Sequence, residues 1–218
     1  MADGLLDWFS ELSRDDPLKL NGLMMASVTD NMDITGLGRV QVSLWGYPDV
    51  KPWAKVASPF AGSDYGFYAM PQTGDNVIVG FERGDPTEPV VLGGFWTSSA
   101  MPPAGIPQTD PQSKRVLKTP KGHKVELDDM LQTITITTTT DQQIAIGPKE
   151  IEVKAGKGAA KVTISTAGEI TISGTSQVSV KAPTVSVEAQ GSLKLSGASV
   201  TIQATGTCAI SGGTVTIN

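Results

Sequence analysis

The chain has 218 residues, a net charge of −5 and a pI of about 4.9, and it lacks the basic stripe that general nucleic-acid binders carry. Its single cysteine, Cys208, excludes an intramolecular disulfide, and no apolar run of about 18 residues predicts a membrane-spanning helix. The acidic N-terminus lacks the pattern of a signal peptide, so we expect the protein to be made in the cytoplasm.

Residues 1–17 predict a short amphipathic helix that ends at Pro17. Two interpretations of this helix stay open: it packs on its own domain, or it docks on a larger partner. The docking interpretation assigns the contact to large apolar residues that share one side of the helix: Leu5, Trp8, Phe9 and Leu12.

Residues 18–96 predict a small all-β domain, because short runs of alternating apolar residues are separated by Gly, Asp and Pro turn signals. Five or six short strands in so few residues favour a closed barrel, which removes open sheet edges. The predicted strands are Leu23–Asp30, Arg39–Trp45, Trp53–Val56, Gly66–Met70, Asn76–Phe81 and Pro89–Phe95.

The composition changes after this domain, since no aromatic residue follows Trp96. Residues 97–117 form a linker rich in proline and small polar residues.

Residues 118–218 are repetitive. Two apolar residues flank a third residue, and from Val162 onward these apolar pairs recur every 7 or 8 residues. The pairs are Ile134/Ile136, Ile144/Ile146, Ile151/Val153, Val162/Ile164, Ile170/Ile172, Val178/Val180, Val185/Val187, Leu193/Leu195, Val200/Ile202, Cys208/Ile210 and Val215/Ile217.

The repeat predicts strands with one apolar face, and no helical pattern in this half would cover that face. A single coiled chain would have a thin core and exposed sheet edges. Three intertwined chains would bury the pairs on a common axis, at roughly 1.5–3 kcal/mol per buried aliphatic side chain, and pair one another's edges. We therefore predict an obligate homotrimer whose residues 118–218 form a collar and an intertwined triple-stranded β-helix.

The residues that could carry chemistry are few. His123 is the only histidine and stands in a predicted turn, and Cys208 occupies an apolar position of the repeat. Glu126, Asp128 and Asp129 predict a solvated charge group on a hairpin rather than an acid pair. We expect no enzymatic activity, no cofactor and no resident metal. A metal bound by a threefold ring of His123 or Cys208 remains an alternative.

One ordered series of motifs carries a family resemblance. The runs at 38–49 and 53–96 resemble the oligonucleotide/oligosaccharide-binding (OB) domain of the phage baseplate assembly protein V family, which type VI secretion spike proteins share. The residues 118–129 resemble the passage from barrel to β-helix in that family. The matching motifs are Trp53-Ala54, Gly66-Phe67-Tyr68, Gly74-Asp75, Val79-Gly80-Phe81, Gly84-Asp85-Pro86 and Val91-Leu92-Gly93-Gly94.

The resemblance implies a structural spike of a phage or phage-like tail baseplate, which pierces the target outer membrane on injection. It implies assembly in a virion tail, tailocin or other injection particle after synthesis in the bacterial cytoplasm. Residues 97–117 are too few for the lysozyme domain that some members insert there. Two alternatives are a trimeric stalk of an envelope-degrading enzyme and a receptor-binding fibre, although a fibre would favour distal aromatic residues.

The resemblance also implies partners at both ends. Only about 17 residues precede the barrel, so we expect a separate tail hub protein to bind there, through the helix in residues 1–17. The last repeat would leave a flat apolar end, which a PAAR-like tip protein would cover. The predicted tip-binding residues are Val215, Thr216, Ile217 and Asn218.

Overall fold

The computed structural model describes residue 20 and residues 22–106 and 109–216. These residues form an all-β protein with two single 3-10 turns and no α-helix among them. The chain divides into two compact units, one ending at Ile134 and one beginning at Thr135. The helix predicted in residues 1–17 lies outside the described residues. In the described part, no helix is long and apolar enough to cross a membrane.

Five strands of the first unit close into a barrel with the order β1-β2-β3-β7-β6, and β6 pairs back onto β1. All neighbours are antiparallel except β3 and β7, which are parallel. The seven strands up to the end of the barrel are β1 (Leu23–Asp30), β2 (Arg39–Leu44), β3 (Trp53–Val56), β4 (Ala61–Gly62), β5 (Tyr65–Gly66), β6 (Asn76–Phe81) and β7 (Pro89–Gly94).

The barrel core is aliphatic and comes from alternate residues of the strands, because successive side chains of a strand point to opposite faces. In β2, for example, Val40, Val42 and Leu44 point inward and are at most 1% exposed. The complete buried set is Ala26, Val28, Val40, Val42, Leu44, Ala54, Val77, Val79 and Val91. The predicted closed barrel is confirmed.

The predicted strand Gly66–Met70 is wrong. The structure instead has a small hairpin, β4 and β5, whose turn includes Asp64 with a positive φ of 64°. Residues 67–70 follow it outside any strand, because five strands already close the barrel and leave no free edge for a sixth. The other five predicted strands are confirmed, although β2 and β7 each end one residue earlier than predicted.

The strand directions define two ends of the barrel. At the proximal end, where β1 begins, the N–H of Leu20 donates to the carbonyl of Gly84 at 2.8 Å. At the distal end, β7 ends and the chain continues into residues 97–106. The loop at 31–38 and the segment at 57–75 also lie at the distal end, since they follow β1 and β3 respectively.

The next two strands, β8 (Lys114–Lys118) and β9 (Lys124–Asp128), form an antiparallel hairpin in the first unit. The remaining strands hold the first five apolar pairs of the repeat. They are β10 (Thr133–Thr137), β11 (Gln143–Ile146), β12 (Glu150–Ala155), β13 (Ala160–Ser165) and β14 (Ile170–Gly174).

The strands β11 to β14 pair successively within one chain as an antiparallel meander. We predicted that the strands of the repeat would pair with those of other chains, and for β11 to β14 that prediction is wrong. The reversals explain the difference, because Lys157 and Gly168 adopt positive φ values of 56° and 87° at two of them. Residues in that conformation allow a strand to turn back on itself.

The chain changes character after Gly174. Residues 175–216 form no strand, and no described residue among them has a positive φ. Between described residues 176 and 216, no backbone group bonds to another backbone group of the chain. Within the described chain no strand therefore forms at the pairs Val178/Val180, Val185/Val187, Leu193/Leu195, Val200/Ile202 and Cys208/Ile210. The chain bends at a regular interval of 7 or 8 residues, at Thr175–Ser176, Pro183, Gln190–Gly191, Ala198, Thr205–Gly206 and Gly213.

Candidate functional site

The apolar residues of the meander form two continuous rows on one face of the sheet, which we call the apolar ladder. The cross-strand registers align each pair with the next, so that Ile151 stands opposite Ile164 and Val153 opposite Val162. Most of these side chains are 39–66% exposed, although those on β12 and β13 stand opposite aliphatic residues on both neighbouring strands. The two rows are Ile146–Ile151–Ile164–Ile170 and Ile144–Val153–Val162–Ile172.

The opposite face of the meander is polar. Glu152 pairs with Lys154 on its own strand, at 3.1 Å between Oε1 and Nζ, and with Lys161 on β13. Lys161 and then Lys154 lower the pKa of the Glu152 carboxyl. Thr163 and Thr171 continue this face. The sheet thus has one face suited to water and one suited to burial, which is the pattern of a sheet with a missing partner.

The segment at 175–216 offers a second kind of assembly surface. Every described side chain in it is exposed, including the apolar residues of the last pairs. Its backbone N–H and C=O groups are strong hydrogen-bonding groups, and an extended segment satisfies them in water or against another strand. The periodic bends divide it into short straight pieces of similar length.

The hairpin of β8 and β9 holds an ion-pair network rather than a solvated charge group. Lys114 Nζ lies 3.0 Å from Glu126 Oε1 and 3.1 Å from Asp128 Oδ2, and Lys124 Nζ lies 2.8 Å from Glu126 Oε2. Lys124 and Lys114 lower the pKa of Glu126. The backbone N–H of Leu131 and the Lys114 ammonium lower the pKa of Asp128.

Our prediction that this charge group is solvated is therefore wrong for Asp128, whose side chain is only 3% exposed. The pairing across β8 and β9 explains the burial, because Lys114 stands directly opposite Asp128 in the register. Asp129 alone of the three predicted acids is exposed without such a pair. The network stabilises the hairpin and holds its carboxylates in ion pairs.

His123 and Cys208 both lie exposed in the single chain. His123 belongs to the turn between β8 and β9, where its carbonyl accepts a bond from the Thr119 N–H at 2.9 Å. Its own N–H donates to Thr119 Oγ1 at 3.1 Å. Across the residues that the structure describes, no three His, Cys, Asp or Glu side chains come together.

The residues predicted to bind partners lie mostly at the chain ends. Leu5, Trp8, Phe9 and Leu12 lie outside the described residues, as do Ile217 and Asn218. The described tip residues are exposed, with Val215 at 52%. The hub and tip assignments therefore stay predictions.

The sequence interpretation missed an apolar surface at the distal end of the barrel. Ile34 in the β1–β2 loop is 99% exposed, and four aromatic side chains on and around the small hairpin are 48–82% exposed. A groove of about 700 Å³ lies between this loop and the hairpin. The sequence signal was present, since four of the twelve aromatic residues stand close together: Phe60, Tyr65, Phe67 and Tyr68.

Comparisons with known proteins identify the barrel. Residues 24–96, about a third of the chain, match the family described as the type VI secretion system/phage-baseplate injector OB domain. Among curated proteins, the chain is 40% identical over 67 residues to the actin cross-linking toxin VgrG1 of Vibrio cholerae serotype O1. It is equally similar to the type VI secretion system spike protein VgrG3 of the same species.

A third relative is the type VI secretion system spike protein VgrG5 of Pseudomonas aeruginosa, which is 42% identical over 67 residues. Each of these matches covers 31% of this chain. The chain spans only 6–8% of the length of these relatives. The family match covers the barrel, where the buried strands and their turns lie.

Proposed function

We propose that this chain, whose residues 24–96 match the injector OB domain of type VI secretion systems and phage baseplates, is the central spike of a phage or phage-like tail baseplate. Relatives that carry this domain include type VI secretion spike proteins. The observation that carries the proposal is the combination of this domain with an uncovered apolar ladder and a long unpaired segment after it in the chain.

The apolar ladder supports a homotrimer. Eight aliphatic residues in two rows are too many to leave in water, and burial contributes roughly 1.5–3 kcal/mol per side chain. Three copies of the face around one axis would bury all of them and leave the polar face with Glu152, Lys154 and Lys161 outside. This arrangement satisfies the amphipathic pattern of every strand in the meander.

The segment at 175–216 would complete the trimer as a shaft. Three copies wound together would pair the backbone groups that find no partner within one chain, while the bends every 7 or 8 residues would let each chain follow the threefold axis. The apolar pairs would point to the axis. A narrow rod with this density of hydrogen bonds would resist bending, which is the mechanical property that piercing an outer membrane requires.

The two chain ends would contact different partners. Leu20, the first described residue, bonds to the barrel at its proximal end, opposite the end where β7 leaves the barrel. We propose that Leu5, Trp8, Phe9 and Leu12 dock there on a separate tail hub protein. At the other chain end, Val215, Thr216, Ile217 and Asn218 would seat a PAAR-like tip protein.

The spike would act mechanically rather than as an enzyme. The carboxylates of the β8–β9 hairpin are held by lysines, and His123 sits in a turn without a paired acid in the described part of the chain. An envelope-degrading activity would instead need a positioned acid and base within reach of a substrate. Incubation of the purified protein with peptidoglycan separates these functions, because the spike proposal expects no turnover.

The decisive experiment combines sedimentation velocity with electron microscopy of the assembled particle. We expect a trimer in solution and density for the protein on the tail axis, between hub and tip. A monomer in solution would contradict the trimer, and a position on the periphery of the baseplate would contradict the spike.

A further inference from the structure

We infer that the barrels of neighbouring copies contact each other head to tail, with Ile34 of one copy inserted into the distal-end groove of the next. This inference rests on the proposed homotrimer and deepens it, because it assigns an intersubunit surface to the barrel as well as to the meander. The surface consists of the loop at 31–38 and the small hairpin of β4 and β5.

Ile34 is presented as a rigid projection. It is 99% exposed near the tip of its loop, although side-chain hydrogen bonds hold the loop residues on either side of it. Asp33, directly before Ile34, forms an ion pair with Arg39, at 3.0 Å between Oδ2 and Nε. Its carboxylate also accepts hydrogen bonds from the N–H and the hydroxyl of Thr35. The Arg39 guanidinium stacks 5.8 Å from the centre of the Trp53 ring. The loop therefore holds an aliphatic side chain in water at a fixed place.

The groove is also shaped by specific contacts. Ser58 Oγ bonds to the carbonyls of Phe60 and Phe67, at 2.9 and 2.7 Å, and so closes the base of the hairpin. The Tyr65 ring lies over Gly62, where a Cβ would approach it to 2.2 Å. The groove between the hairpin and the loop has a volume of about 700 Å³. This volume holds the tip of a loop and not only one side chain.

The exposed area matches the size of a specific contact. Four aromatic side chains that are 48–82% exposed present on the order of 500 Å², given about 150–250 Å² per aromatic side chain. Ile34 and its exposed loop neighbour Met32 belong to the other partner's side of the contact. A standard interface buries about 800 Å² per partner, so the aromatic patch alone supplies more than half of one partner's share.

The arrangement favours a second copy over another partner because both halves of the contact are on the same chain. A threefold ring needs a heterologous contact, in which two different patches of one copy meet the opposite patches of its neighbours. The projection and the groove are two such patches, and both lie at the distal end of the barrel. Such a contact closes a ring when the rotation between neighbouring copies closes, and a rotation of one third of a turn gives the proposed trimer.

Disulfide trapping in the full chain tests this inference. In a Cys208→Ser background, Ile34→Cys is combined with Tyr65→Cys or with Phe67→Cys, and the protein is oxidised and separated on a denaturing gel. A disulfide requires Cα atoms within about 7 Å, so it reports direct contact. We expect most chains in a covalent closed trimer for at least one pair. A matched control combines Tyr65→Cys with Thr87→Cys at the proximal end and should give no cross-link.

Each other result contradicts the inference in a distinct way. Covalent dimers without trimers would indicate a twofold contact between copies. Absence of cross-links from both pairs in a protein that still sediments as a trimer would refute the barrel contact and leave the proposed spike intact. Sedimentation of the Cys208→Ser protein as a monomer would refute both proposals.

Discussion

Ile151 and Ile164 lie directly opposite each other on neighbouring strands of the meander, yet they are 39% and 44% exposed. Directly opposed aliphatic residues on adjacent strands normally share a buried face. The same pairing continues to Ile170 on β14. The pair therefore marks a surface that the isolated chain builds but does not cover.

Replacing Ile164 with lysine should abolish the trimer. The substitution removes roughly 1.5–3 kcal/mol of burial per copy and places three charges beside the common axis. The matched control is Thr163→Lys, which puts the same charge on the opposite face of the same strand. Sedimentation velocity should show a smaller species for Ile164→Lys alone. A trimer in both variants would contradict the assignment of faces.

Backbone amides of residues 176–216 should be protected from hydrogen exchange only in the assembled protein. Their N–H groups find no backbone acceptor within one chain, so protection requires other copies. Exchange followed by mass spectrometry should show slow exchange in the native protein and fast exchange in the Ile164→Lys variant. The barrel peptides should change little between the two. Fast exchange of 176–216 in an intact trimer would contradict the interchain pairing.

Truncating the barrel core should destabilise the first unit in proportion to burial. Leu44 is 1% exposed, so Leu44→Ala should lower the free energy of unfolding by about 2–5 kcal/mol. Leu23→Ala is the control, because Leu23 is 65% exposed on the outside of β1, and it should cost well below about 1 kcal/mol. Urea denaturation followed by tryptophan fluorescence measures both. Equal losses would contradict the placement of β2 in the core.

Acid should weaken the β8–β9 hairpin. The pKa values of Glu126 and Asp128 are lowered in the folded chain by their lysine and N–H partners. An acid with a lowered folded pKa contributes stability above its unfolded pKa, near 3.9 for Asp and 4.3 for Glu, and loses it as pH falls through the folded value. We therefore expect stability to fall as pH decreases below about 5.

Asp128→Asn should lower stability at neutral pH and flatten this part of the pH profile, as measured by urea denaturation at successive pH values. Asp129→Asn is the control, since this exposed neighbour makes no such ion pair in the structure. An unchanged slope in Asp128→Asn would show that the buried carboxylate does not titrate as its contacts require.

The barrel was largely predictable because its signals are local. Alternation in Arg39–Leu44 and Asn76–Phe81 follows from one buried and one exposed face, and strand ends follow from Gly and Asp turns. The hairpin of β4 and β5 escaped because an apolar run such as 66–70 looks the same whether or not a sheet edge is free to receive it. Likewise, the exposure of Ile34 depends on the contacts of Asp33 and Arg39 that hold its loop.

The sequence by itself determined that apolar residues alternate with other residues in short pairs across 134–217, and that these pairs recur every few residues. It also determined the family of the barrel through its turn and strand motifs. The tertiary structure decided which strands find partners within the chain. The apolar pairs look alike on both sides of Gly174, but positive-φ turns at Lys157 and Gly168 reverse the chain before it, and no described residue allows this afterwards. Pairing depends on chain reversal, a property of backbone geometry that the apolar pattern does not contain.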